Sequence, residues 1–149
     1  MKVLKPGGKL GFTVWHQESS SWAPDVKSSF AGLPFEAPFP DPMPVAPHGI
    51  LHWTEEQGIE KELRDHGYEK IRTEKISYTT HVNSAEEFVK AFDMMATWVA
   101  RTYWSEESQK KAEGMLEDHM LKHLKEKHGG QGWDLDWTFV VATCEKPTA

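Results

Sequence analysis

The sequence predicts an α/β or α+β protein with three strands and three or four helices, and three observations carry that prediction. Runs of strand character at positions 9–15, 69–82 and 136–145 alternate with segments whose apolar residues recur at i, i+3 and i+4. Turn and capping residues stand at the joints between these segments. The third observation is size: 149 residues, 38% hydrophobic and 27% charged, fit one globular domain burying about 68–70% of its unfolded surface without disulfides or metal.

The first strand follows Lys5-Pro6-Gly7-Gly8, where proline fixes φ and the paired glycines accept a positive φ. Lys9-Leu10-Gly11-Phe12-Thr13-Val14-Trp15 then shows little polar alternation, which predicts a strand covered on both faces. Positions 16–53 lose all periodicity, and Pro34, Pro38, Pro40, Pro42, Pro44 and Pro47 exclude a long helix or central strand. Trp22, Phe30, Phe35, Phe39 and Trp53 make the segment too apolar for a spacer, so it reads as an ordered loop with a short helix around residues 24–30.

Thr54 and Gln57 fit a capping box, Ile59 and Leu63 share one helix face, and Gly67 stops the helix. Tyr68 to Val82 reads as a long strand. Ser84 with Glu87 opens a second helix, with Phe88, Phe92, Met95, Trp98, Val99 and Tyr103 on its apolar side. A third helix begins at Ser105 and ends at Gly129-Gly130, and Asp136 to Cys144 forms a buried strand. As one domain, the chain divides into a turn and strand at 1–15, a proline and aromatic loop at 16–53, a helix and strand at 54–82, a helical pair at 84–129 and a last strand at 133–146.

The net charge of −6 comes from 17 basic and 23 acidic residues, and the basic ones are dispersed, which argues against nucleic acid as a partner. One cysteine, Cys144, excludes a disulfide framework. No apolar run reaches the ~18–20 residues of a membrane span and the first residues lack a signal peptide's apolar region, so no membrane partner and a cytoplasmic location are expected. Two entries of the composition stand out: seven tryptophans, and nine prolines, seven of them between Pro24 and Pro47.

The segment Val3-Leu4-Lys5-Pro6-Gly7-Gly8-Lys9-Leu10-Gly11-Phe12-Thr13-Val14-Trp15 resembles the fifth-strand motif of class I S-adenosylmethionine-dependent methyltransferases, in particular small-molecule and quinone-type C-methyltransferases. The order of the later elements is similar to that family's C-terminal half as well. The resemblance implies a truncated Rossmann-like fold whose mixed sheet carries the last strand in its centre, antiparallel to its neighbours. It also implies an enzyme of transferase lineage. The family's glycine-rich cofactor loop and its ribose-binding acidic residue have no counterpart here, because Gly7, Gly8 and Gly11 precede or enter a strand while Gly129, Gly130 and Gly132 follow a helix. No cofactor-binding residue carries over, and the chain alone is expected to bind no cofactor.

In open α/β sheets ligands bind beyond the carboxyl ends of parallel strands, where Trp15 and His16 stand. The resemblance places the acceptor substrate there, with Trp22, Phe35, Phe39, His52 and Trp53 of the loop around it and Met94, Met95, Trp98, Tyr103 and Trp104 on an inserted helical lid. Such a pocket suits an aromatic or polyketide-like molecule; the competing reading is that these side chains fill the core. His16 is the candidate acid or base, against a solvated or structural histidine. His48 and His52 flank Gly49 to Leu51 and are weaker candidates. His119 and His123 stand four apart on a helix, but a third ligand at a recognised spacing is missing and Lys122, Lys125 and Lys127 oppose a cation, so no metal site is expected.

Strand 9–15 loses a neighbour relative to the family's sheet. That exposed edge predicts a homodimer or a completing chain. Three functions remain: methyl transfer by a fragment of a longer enzyme or by a split half whose cofactor half comes from another chain, cofactor-independent isomerisation or cyclisation by a homodimer, and non-catalytic assembly.

Overall fold

A computed structural model describes residues 4–19, 21–41, 43 and 51–148; His48 and positions 44–50 of the proline-rich loop lie outside them. The elements are β1 Lys9–Trp15, α1 Ala23–Ala31, a 3-10 turn Leu51–Thr54, α2 Glu56–Asp65, β2 Glu69–Val82, α3 Ala85–Tyr103, α4 Glu106–Ala112, α5 Leu116–Lys127 and β3 Trp133–Glu145.

The last strand lies in the middle of the sheet, in the order β1-β3-β2. β1 pairs antiparallel with β3, from Lys9 opposite Glu145 to Trp15 opposite Phe139. Side-chain bonds of Lys70 with Glu145, Ser77 with Thr138, Thr79 with Asp136 and His81 with Asp134 step along the two strands in opposite directions, so β2 is antiparallel to β3 too. β1 and β2 therefore point the same way on either side of a reversed centre, as the methyltransferase resemblance implies.

The chain divides into two compact units, one of residues 1–19, 44–78 and 137–149, the other of 20–43 and 79–136, and β2 and β3 each pass from one into the other. In the first unit, Ile59 and Leu63 of α2 pack with Tyr68, Val140, Ala142 and Cys144, against Leu10, Phe12, Val14 and Trp53. This covers the even-numbered side of β1. Gly11, Thr13 and Trp15 on the odd side are exposed, so the expectation of a strand buried on both faces is corrected. The cause is that the 3-10 turn and α2 pack against one face. The alternation was present in the sequence but disguised by the apolar Trp15 on the open side.

The start of α2 also departs from expectation: Glu55 is its N-cap and makes no side-chain capping bond, because Thr54 closes the 3-10 turn before it. Gly58 lets the two pieces touch, since a Cβ there would lie 1.9 Å from the His52 carbonyl oxygen.

In the second unit, α3 is capped as the sequence indicates, the Ser84 hydroxyl accepting from the Glu87 N–H at 3.2 Å. The Glu87 carboxylate accepts in return from the backbone N–H of Asn83 at 2.8 Å. The expected third helix breaks at Gly114, whose φ of +73° ends α4 and releases α5. Val26, Phe30, Phe88, Val99, Met120 and Leu124 are buried in this unit, where α5 packs against α1 and α3.

Candidate functional site

The open face of the first unit's sheet is aromatic. Trp15 of β1 meets Trp137 of β3 at 5.2 Å between ring centroids, and Tyr78 stacks on Trp137 at 6.3 Å with 13° between planes. Phe139 meets Tyr78 edge-on at 5.6 Å. Register explains the grouping: Trp15 stands opposite Phe139, and odd positions of β3 rise on the same side. Trp15 and Tyr78 nonetheless remain 49% and 43% exposed. They border a hollow of about 340 Å³, lined by Thr13, Val14, Trp15, Tyr78 and Phe139. That volume lies at the small end of ligand cavities. Its walls are more apolar than polar, and the hydroxyls of Thr13 and Tyr78 are its side-chain polar groups.

The other first-unit candidates lie elsewhere. Trp53 packs its ring 5.5 Å from Phe12, on the covered side of the sheet and away from Trp15. His52 is exposed, with Nε2 3.1 Å from a Glu62 carboxylate oxygen. His16 is 4% exposed. Its Nδ1 accepts from the Glu18 N–H at 3.0 Å, which leaves the proton on Nε2, 3.5 Å from the Glu56 carboxylate. Its own N–H donates to the Thr138 carbonyl at 3.0 Å and extends the β1–β3 ladder by one residue. An imidazole so placed, with both nitrogens facing protein groups, joins the end of β1 to α2.

Trp22, Phe35 and Phe39 come together in the second unit, around two buried rings, Trp104, expected among the lid residues, and Phe30, not among the expected site residues. Phe30 meets Phe39 and Trp104, and Trp104 meets Phe35 at 6.0 Å while Trp22 meets Phe39 at 6.2 Å. Trp104 Nε1 donates to the Pro38 carbonyl at 3.0 Å and the Ser108 hydroxyl to that of Glu36 at 2.6 Å, so the end of α3 and α4 hold the loop's backbone through its carbonyls. Trp98 and Tyr103 meet edge-on at 6.1 Å, and Met95 and Tyr103 are 39% and 37% exposed.

A polar cluster that sequence reasoning missed lies between α1 and the end of α5. Asp25 Oδ1 accepts from Lys127 at 2.8 Å and is 3.0 Å from His128 Nε2, and Oδ2 accepts from the Trp133 indole at 2.9 Å. Burial alone would raise the Asp25 carboxyl's pKa, but the Lys127 and His128 bonds and charges hold it below the usual range. His119 and His123, the pair with metal-like spacing, direct Nε2 at the Ser29 carbonyl and the Ser28 hydroxyl, at 2.8 and 3.0 Å. Among the described residues no group of three or more His, Cys, Asp and Glu is arranged to hold a metal ion. Burial raises the pKa of Cys144, as for a packed thiol.

Four of the described glycines serve turns and close backbone packing. A Cβ on Gly132 would lie 2.5 Å from the Val82 carbonyl oxygen, and one on Gly8 2.8 Å from that of Lys5, so both serve close backbone packing. Gly129 and Gly130, at φ +61° and +70°, form the turn into β3. Gly8 precedes β1, and Gly129, Gly130 and Gly132 lie between α5 and β3, so none of these four stands between a strand and a following helix. Nor is any described helix long and apolar enough to cross a membrane.

No protein-family model matches the chain. The chain is 24% identical over 149 residues to Methyltransferase ktnA of Aspergillus niger, a similarity that takes in 98% of this chain and 48% of that protein. The chain spans about half of that protein's length, and over nearly all of its own length it is distantly similar to part of a methyltransferase.

Proposed function

We propose that the chain is the acceptor-side half of a methyltransferase-type enzyme for small aromatic or polyketide-like molecules, with the S-adenosylmethionine half lying outside these residues. One observation carries the reading: a chain distantly similar to 48% of a methyltransferase folds with its last strand reversed between the other two. The hollow on the open sheet face supports the acceptor class. Trp15, Tyr78 and Phe139 offer flat rings to a flat molecule, an arrangement worth about 0.5–1.5 kcal/mol per ring pair beyond area burial, and two hydroxyls can orient it. Proton transfer is not placed on His16, whose nitrogens are engaged, and no step of methyl transfer is assigned to the described residues.

Calorimetric titration tests both parts. With 2-naphthol as the aromatic probe, the chain should bind in the range of tens to hundreds of micromolar, on the order expected of so few non-hydrogen atoms, and Trp15→Ala should weaken binding about tenfold. S-adenosylmethionine should give no heat of binding. Equal naphthol affinity in the variant, or none in the natural chain, removes the acceptor assignment. Micromolar binding of S-adenosylmethionine removes the claim that its site lies outside.

A further inference from the structure

We propose that the seam between α1 and α5 is an acid-sensitive latch, in which a proton on His123 loosens α1 and the strap of residues 33–41 that follows it while α3 stays folded. The two faces that meet there match in spacing. α1 offers Asp25, Ser28 and Ser29, at i, i+3 and i+4, and α5 offers His119, His123 and Lys127, four apart, with His128 at its C-cap. Each acceptor on α1 is taken by α5 or its cap. The Ser29 carbonyl takes His119 Nε2 at 2.8 Å, the Ser28 hydroxyl takes His123 Nε2 and Lys127 Nζ, both at 3.0 Å, and the Asp25 carboxylate takes Lys127 and His128.

The Ser28 hydroxyl donates its own proton to the Asp25 backbone carbonyl at 3.0 Å, so its oxygen accepts from His123, whose Nε2 carries the hydrogen. Nδ1 is then the position that takes a second proton. Acid therefore leaves the Nε2–H bond in place and puts a charge on the ring.

The neighbours of His123 decide what that charge does. Lys127 and His119 flank it on α5, the His119 ring 6.4 Å away and nearly parallel. On α1 the carboxylate of Asp25 already accepts from Lys127, His128 and the Trp133 indole, and Lys27 pairs with Asp41. Glu126 of α5 attracts the ring as well, whereas Glu86 of α3 is engaged with Lys125. Burial, Lys127 and His119 outweigh Asp25 and Glu126 and hold His123 below the usual imidazole range. The closed seam thus resists a proton that an opened one accepts, and opening gains as pH falls from about 6.5 through the folded value.

α1 is the element such a charge can free. It has nine residues, too few to stand as a helix alone in water, and its N-cap, Trp22, makes no side-chain capping bond. α3 has nineteen residues and the Ser84 cap. The strap follows α1, and its Phe39 packs on Phe30 of that helix, so both share one hold. Val26 and Phe30 are buried under α1, so acid lowers its protection without abolishing it.

Amide hydrogen exchange read by mass spectrometry at about pH 7 and about pH 5.5, corrected for the intrinsic effect of pH, is the test. Asp25, held below the usual carboxylate range, keeps its charge at both. Protection across residues 23–31 should fall about three- to tenfold at the lower pH, about ten being the most that one imidazole adds a unit below its ordinary value. Residues 85–100 of α3 should keep theirs. His123→Gln retains a donor and does not titrate, so its α1 protection should agree within about twofold at the two pH values. Should that variant fail to fold by circular dichroism, His123→Asn carries the same expectation. Unchanged α1 protection in the natural chain, equal losses in α1 and α3, or a loss that persists in the folded variant overturns the proposal.

Discussion

Asp25 is 5% exposed, yet it stays ionised because three donors converge on its two oxygens. Removing the carboxylate strands those donors, although Lys127, with 36% of its side chain exposed, can turn to water. Asp25→Ala should therefore cost about 2–3 kcal/mol in urea unfolding, within the range for hydrogen bonds to a charged group. The pH dependence follows from the direction of the shift. A lowered carboxyl pKa contributes stability that is present in full above the unfolded value near ~4 and is lost as pH falls from there through the folded value. His123 is also lowered, by burial first and then by Lys127 and His119, with Asp25 and Glu126 acting the other way. For an imidazole this means stability begins to fall earlier, below about 6.5, as the unfolded chain takes up a proton that the folded one resists. Unfolding midpoints should thus decline in two stages on acidification. Asp25→Ala should flatten the lower stage and His123→Gln the upper, and a profile unchanged by either substitution would refute the assignment.

At the scale of elements, the sequence read best where the signal was local. β2 occupies the expected 69–82, α1 contains the short helix expected near 24–30, and the Ser84–Glu87 pair caps α3. Elsewhere a neighbouring piece decided. Thr54 looked like a cap but ends a 3-10 turn, the helix after Ser105 parts at Gly114, and the coverage of β1 depended on where α2 packs. The candidate site was legible in composition and not in placement: Trp15 reaches the open face, Trp53 packs beneath the sheet and Asp25 was overlooked, since its partners lie over a hundred positions away. Gly58 shows how far such contacts override local preference. In a helix interior Gly→Ala ordinarily stabilises by up to ~1 kcal/mol. Here the added methyl would meet backbone at 1.9 Å, which no side-chain rotation relieves. Gly58→Ala should destabilise the chain by about 1–3 kcal/mol, the usual cost of overpacking; a rise in unfolding midpoint would show that the 3-10 turn moves aside freely.

For the whole molecule, what matters is that a chain similar to 48% of a longer protein carries a three-stranded sheet whose last strand lies reversed between the other two. β3 is held on both sides: β1 pairs with it from Lys9 opposite Glu145 to Trp15 opposite Phe139, and side chains of β2 bond to Glu145, Thr138, Asp136 and Asp134 along it. The last strand in sequence therefore joins two strands that come much earlier, and the sheet's register rests on contacts of long sequence separation, which form late because the loop-closure entropy must be met first.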